Sequence, residues 1–346
     1  MAYTTINKSS LHMNTKLYTG TGSSNSVTGV GFQPDWVWIK DRGSNANHHL
    51  FDAVRGVTKD IISNSSNAQG TDAQKLTAFG ADGFTVGTNG NVNGSSANMV
   101  SWNWKAGTGQ GSSNTDGSIN TTYTSVNTTA GFSISTYTGT TSAGATIGHG
   151  LGAVPSMIIT KNSGRSGGAG NWVVYHKSLG NTKYLLLNES NAEGSSSGAW
   201  NNTTPTSSVF TVGDFDSTNG SEGMVAYCFA EKTGYSKFGS YTGNGNANGT
   251  FVYTGFKPAF VMVKRTNSSG DWQLVDNKRL GYNVDNNAIF PNLSNTEDTG
   301  DVVDILSNGF KVRSSTGTWN ASSGTYIYMA FGQSIVGSNN IPATAR

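Results

Sequence analysis

Lys16-Leu17-Tyr18-Thr19-Gly20 recurs twice, as Ser135-Thr136-Tyr137-Thr138-Gly139 and as Gly239-Ser240-Tyr241-Thr242-Gly243. After each copy comes a polar, Gly-rich stretch and then a proline: Pro34, Pro155 or Pro258. The step from each Pro to a following Lys is the same six residues, reaching Lys40, Lys161 and Lys264. Between them lie Asp35-Trp36-Val37-Trp38-Ile39, Ser156-Met157-Ile158-Ile159-Thr160 and Ala259-Phe260-Val261-Met262-Val263. Further on, Asn47 to Asp52 lines up with Asn171 to His176 and Asp271 to Asp276. Each unit closes on an aromatic run: Met99 to Trp104, Met224 to Phe229, Tyr326 to Phe331. From the preceding Phe the closing aromatic lies 20, 19 and 21 residues away, at Phe84–Trp104, Phe210–Phe229 and Phe310–Phe331. Spacing kept through three diverged copies marks one supersecondary plan used three times.

One unit reads as short strands. The Pro stands at a strand start, where no ladder N–H is needed. The run after it is apolar without clean alternation, as for a strand buried on both faces. Gly-Phe-x-Val alternates, with one face apolar. The closing run alternates large and small residues, as interdigitating sheets require. The expected fold is all-β: three tandem β-sandwich, jelly-roll-like repeat units with Gly/Ser/Asn-rich loops. The expected boundaries are an N-terminal arm at 1–15, repeats at 16–106, 130–232 and 233–335, a linker at 107–129 and a tail at 336–346. Three copies allow either a row or a pseudo-threefold arrangement. Helix is nearly absent, the best candidate being Ala68 to Leu76.

Composition narrows the function. Only 12% of the 346 residues are charged, which with the missing heptads excludes a coiled coil. Cys228 is the one cysteine, so no disulfide framework exists. A net charge of +2 gives no field for nucleic acid or an anionic membrane. The opening Met1 to Gly20 has no apolar core region, and no apolar run is long enough to insert in a membrane, so synthesis in a cytoplasm is expected.

Residues with chemical potential are scattered. Asp35, Asp41 and Asp52 have no acid at the matching places Ser156 and Asn162, which argues against a carboxylate pair and for turn-forming acids. His48 and His49 are adjacent and point to opposite faces; His12, His149 and His176 lack ligand spacing. Cys228 lies in a closing strand and reads as a buried, inert thiol. Asp214 with Asp216, and Glu297, Asp298, Asp301 and Asp304, are oxygen-ligand stretches for which solvated loop charge is the plainer reading. No catalytic, cofactor or metal residue is therefore assigned. Trp36 matches Ser156 and Ala259, so the fold does not need its bulk there; Trp200 and Trp319 stand in polar loops. These three are the candidate contact surface.

Tyr18 to Gly22, Gly31 to Lys40 and Asp52 to Gly56, with the opening Met1 to Ser9 and the ending Gly337 to Arg346, resemble virion structural, tail-fibre-like proteins of marine tailed phages, especially of cyanobacteria. The likeness covers the chain, most specifically in unit one and at the termini; the other units have lost Asp-x-Val-Arg-Gly. It implies a non-enzymatic protein exposed on the virion, as a tail fibre or receptor-binding appendage or a capsid decoration protein. Its partners would be other virion proteins, copies of itself and a host-surface glycan. The competing readings are a lectin-like carbohydrate-binding module and, weakest, a polysaccharide-degrading enzyme.

Overall fold

The computed structural model describes residues 4–280, 286–300 and 302–334, so the expected tail at 336–346 lies outside the described residues. Strands make up 41% and helix 7%, and the ladders are antiparallel, as an all-β chain requires. The first unit's larger sheet runs, neighbour by neighbour, through Met13–Thr19, Asn98–Trp104, Trp36–Asp41, His49–Asp52, Lys59–Ile62 and Gly70–Thr71. Its smaller sheet is Asn25–Thr28, Gly83–Val86 and Leu76–Gly80. The second unit repeats the order with Phe132–Thr138, Gly223–Phe229, Met157–Asn162, Trp172–His176, Lys183–Leu186 and Gly194–Ser195, and pairs Ala145–Gly148 with Val209–Val212. The third repeats it with Ser236–Thr242, Thr325–Gln333, Lys257–Arg265 and Gln273–Asp276, beside Phe251–Tyr253, Gly309–Val312 and Val303–Leu306.

Both faces of each larger sheet are buried, which is why the strands after the prolines do not alternate. Along Trp36–Asp41, Trp36 and Trp38 face one cluster while Val37 and Ile39 face another. Met157 and Ile159 join the first cluster, Ile158 a separate one; Phe260 and Met262 join the first, Val261 and Val263 a separate one. The first cluster thus takes alternate residues from all three larger sheets, and each unit keeps a private core under its smaller sheet. Trp36 stacks on Tyr227 at 4.5 Å, Trp104 meets Phe260 at 5.4 Å and Phe229 meets Phe331 at 6.0 Å, so every pair of units shares aromatic contacts. Aromatic burial of this size dominates core energetics.

The seams obey the same threefold order. Trp172 Nε1 donates across to the Ile62 carbonyl, and Trp272 Nε1 to the Leu186 carbonyl, each at 2.9 Å. The third such place holds His48, whose Nδ1 accepts from Trp38 and whose Nε2 faces the Phe290 carbonyl short of full hydrogen-bond geometry. The amides of Gln69, Glu193 and Glu297 donate to the carbonyls of Ser163, Thr266 and Arg42. Unit two leans on one, three on two and one on three. The arrangement is a closed pseudo-threefold ring, the alternative to a row that three copies left open.

Two of the recurring lysines, Lys161 and Lys264, reach across these seams, while Lys40 bonds within its own unit. Lys161 Nζ donates to the carbonyls of Ser66 and Gly170, Lys264 Nζ to those of Ser190, Asn191 and Arg265, and Lys40 Nζ to those of Asp41 and Ser44. Burial pushes Lys161 down to about 7, helped by Arg55, and Lys40 and Lys264 down to about 8.

Tyr-Thr-Gly has a mechanical reason. Each unit carries a four-residue helical turn before its closing strand: Gly90–Asn93, Asp216–Asn219 and Gly317–Asn320. The hydroxyls of Tyr18, Tyr137 and Tyr241 donate to the carbonyls of Val92, Thr218 and Trp319 in these turns. The Asn ending each turn accepts from the backbone N–H after the Gly, at Thr21, Thr140 and Asn244. A Cβ on Gly20, Gly139 or Gly243 would come within 2.1–2.3 Å of the turn's backbone, so the close approach selects Gly.

Two expectations give way. Residues 68–76 form no helix; Gly70–Thr71 is a strand and Leu76 starts another, because Gly70 and the turn at Asp72 interrupt the pattern. The stretch 107–129 is not a free linker. Its Tyr123–Asn127 pairs with Phe132–Thr138, and Asp35 holds its start by accepting from the amides of Ala106, Thr108 and Gly109. An edge strand needs backbone partners more than apolar content, so composition concealed it.

Candidate functional site

None of the three indoles expected at a contact surface reaches one. Trp36 is 0% exposed, and Trp200 and Trp319 are 1% exposed. Trp36 does form a contact surface, but with unit two of its own chain. Trp200 packs edge-on against Tyr175 at 5.9 Å in the second private core, and Trp319 lies in the third. The polar neighbours Gly198, Asn201, Gly317 and Asn320 belong to short helical turns that fold each ring inward. The exposed loop implied by their composition is only one face of each turn.

The titratable groups are mostly consumed by structure. Asp41 accepts from Gly43 N and Ser44 Oγ, a turn as expected. Asp52 is different: it accepts from Arg55 and, at 2.7 Å, from the Tyr227 hydroxyl of unit two. Its counterpart Asp276 accepts from Arg279 and, at 3.0 Å, from Trp102 Nε1 of unit one. Unit three therefore keeps the Asp and Arg of the unit-one motif; Asn277 and Lys278 between them hid the match. Cys228 is buried, and burial pushes its thiol well up. His49 contacts Asp60, which also pairs with Lys75. Burial pushes Asp60 up, but His49 and Lys75 more than offset it and hold it below its usual range. At 1% and 3% exposure, His49 and Asp60 are closed to a substrate. Among the described residues no three His, Cys, Asp or Glu gather as metal ligands, and no helix is long and apolar enough to cross a membrane. Of the acid stretches, Glu297 pairs with Arg42, Asp304 with Arg313, and Asp301 lies outside the described residues.

One open cleft carries unspent polar groups. It lies in unit two, holds about 430 Å³, and is lined by Asn171, Val173, Tyr184, Leu186 and Asp214 to Ser217 with Gly168 and Ala169. Tyr184 and Phe215 meet edge-to-face at 5.7 Å and are both half-buried. Asp214 is exposed and pairs with nothing among the described residues. Asn171, which lines the cleft, accepts through Oδ1 from Asn188 and has no acceptor for its Nδ2 among the described residues.

The repeat explains why this place is open. Gly87 N and Asn89 N donate to the carbonyls of Lys75 and Gln74 in unit one; Gly213 N and Phe215 N donate to those of Ala199 and Gly198 in unit two. Lys75 and Gln74 thus correspond to Ala199 and Gly198. In unit one Lys75 runs into this space to pair with Asp60, and Gln74 lies over its exposed side, accepting from Thr88. In unit two they are replaced by a methyl and a hydrogen. A Cβ on Gly198 would come 2.3 Å from the Phe215 ring, so Gly198 is what lets the ring stand in the cleft.

Comparison with known proteins adds a family. Residues 8–334 match the domain of unknown function DUF7483. The chain belongs to the DUF7483 family. The match runs across all three units, so the DUF7483 unit is the closed ring and not one repeat. No curated protein and no solved structure matches the chain.

Proposed function

We propose that the chain is a non-enzymatic structural protein of a tailed-phage particle, carried on its surface as a tail-fibre or receptor-binding appendage or as a capsid decoration protein. The observation that carries this reading is the ring itself. Three copies of one plan spend their aromatic and charged residues on joining each other, and turn Gly/Ser/Asn-rich loops outward. Such a block suits multivalent adhesion or cementing, in which many weak contacts add up. The motifs shared with marine-phage virion proteins support it. We read each unit as a β-sandwich of a larger and a smaller sheet. Trp36–Asp41, His49–Asp52 and Lys59–Ile62 are consecutive neighbours in one sheet, so jelly-roll-like describes the layering and not the strand order.

Labelling purified phage particles with an antibody to the full chain, and counting copies by cryo-electron microscopy, tests this. Many copies over the shell mean decoration; a few at one vertex mean a tail appendage. A chain absent from purified particles overturns the reading.

A further inference from the structure

We propose that the unit-two cleft is a binding site for a neutral saccharide. The proposal takes up the carbohydrate-binding alternative at a new place, and it stands whether or not the chain is part of a particle. Three observations carry it. First, the cleft's volume of about 430 Å³ falls in the range of small-ligand sites and exceeds what one sugar ring occupies. Second, its walls offer the two chemistries a sugar ring presents. Tyr184, Phe215, Val173 and Leu186 give an apolar wall for the ring's C–H face. The Asp214 carboxylate accepts from a pair of hydroxyls, and Asn171 Nδ2 donates to a third. Third, the fold does not demand the cleft. The same place in unit one takes Lys75, with Gln74 over its exposed side, and unit two has emptied it by Ala199 and Gly198 and then set an aromatic ring there.

Charge sets the class. Asp214 and Asp216 are the charged groups lining the cleft; Arg165 lies 3.9 Å from Asp216 and is held by Glu222 at 2.7 Å, and no ion pair reaches Asp214 among the described residues. A carboxylate-bearing sugar would face an unpaired Asp214. Neutral hexoses and N-acetylhexosamines are therefore the ligands, and uronic acids are disfavoured.

Saturation-transfer NMR on the full chain tests this, with glucose, galactose, mannose and N-acetylglucosamine as probes and glucuronic acid as the contrast. The expected result is saturation transfer to at least one neutral sugar and none to glucuronate. Asp214→Asn should weaken that binding about tenfold, the scale of one charge-assisted hydrogen bond. Asp214 is exposed, so this variant tests binding without threatening the fold. Gly198→Val, which displaces the Phe215 ring, should abolish it. No transfer to any neutral sugar overturns the proposal, and so does binding that Asp214→Asn leaves unchanged.

Discussion

Two seams of the ring solve one problem differently. Between units one and two, Asp52 is buried with Arg55 and takes the Tyr227 hydroxyl. Between units two and three, the matching place holds His176, whose Nε2 donates at 3.2 Å to the Tyr328 carbonyl while its Nδ1 accepts from Ser178 N. The residue corresponding to Tyr227 in unit three is Met329, which has no donor. A carboxylate facing Met329 would be buried without its cross-seam partner. A neutral imidazole turned to a backbone carbonyl needs none. The two sides of each seam match: acids face the donors Tyr227 and Trp102, and the histidine stands where the facing unit has Met329.

That contrast can be broken most severely at the charged seam. Asp52→Ala leaves Arg55 buried and uncompensated, and should cost about 3–5 kcal/mol. Urea unfolding of the variant checks it. His176→Gln at the neutral seam leaves no such charge and should cost about 1 kcal/mol, one hydrogen bond. Equal losses would contradict the account.

Tyr227→Phe removes the cross-seam donor while keeping the Asp52–Arg55 pair, and should cost about 1–3 kcal/mol. Urea midpoints followed by far-ultraviolet circular dichroism check it.

The seams also differ in pH response. Burial pushes His176 down to about 4. Its unfolded value is about 6.5. Between these values the unfolded chain binds more protons, so His176 leaves stability intact above pH 6.5 and removes it progressively as pH falls to 4. Lys161 acts on the alkaline side: burial holds it at about 7 in the folded chain against an ordinary 10.5, so the unfolded chain binds more protons and stability rises with pH across that window. Denaturation midpoints against pH should show both limbs; His176→Gln should reduce the slope of the first, which His48 and His149 share, and Lys161→Met that of the second, which Lys40 and Lys264 share.

The smallest contrast lies in the Tyr-Thr-Gly locks. Tyr137 is 1% exposed, whereas Tyr18 is half-buried. Tyr137→Phe strands the carbonyl of Thr218 and Tyr18→Phe that of Val92; both turn residues are fully buried, so each loss should be about 1–2 kcal/mol whatever the exposure of the rest of the ring. Thermal midpoints of the two variants check it, and a much smaller loss at Tyr18 would contradict the equivalence of the locks.

Local structure was legible because backbone demands select residue types directly. Pro34, Pro155 and Pro258 placed the doubly buried strands, and Tyr-Thr-Gly marked a lock that uses the Tyr hydroxyl and the missing Cβ of the Gly. The locking Asn93, Asn219 and Asn320 were missed, although each stands five or six residues before its closing aromatic run, at Met99, Met224 and Tyr326. The ring was illegible because closure depends on which residues face each other across seams, and a doubly buried strand does not say what covers its second face. Trp36 was misplaced for that reason: its bulk is needed by unit two, and its own unit's repeats cannot show that. The cleft was hidden because it arises from what Gly198 and Ala199 lack.

The central claim is that three units form one cooperative body around a shared aromatic core. Hydrogen exchange by mass spectrometry along a urea series tests it most directly, read on peptides covering Met99 to Trp104, Met224 to Phe229 and Tyr326 to Phe331. The account predicts that all three lose protection at one urea concentration, and that Trp36→Ala, at a cost of about 3–5 kcal/mol, moves all three together. A unit that opens while the other two stay protected, or a Trp36→Ala shift confined to unit one, would contradict it.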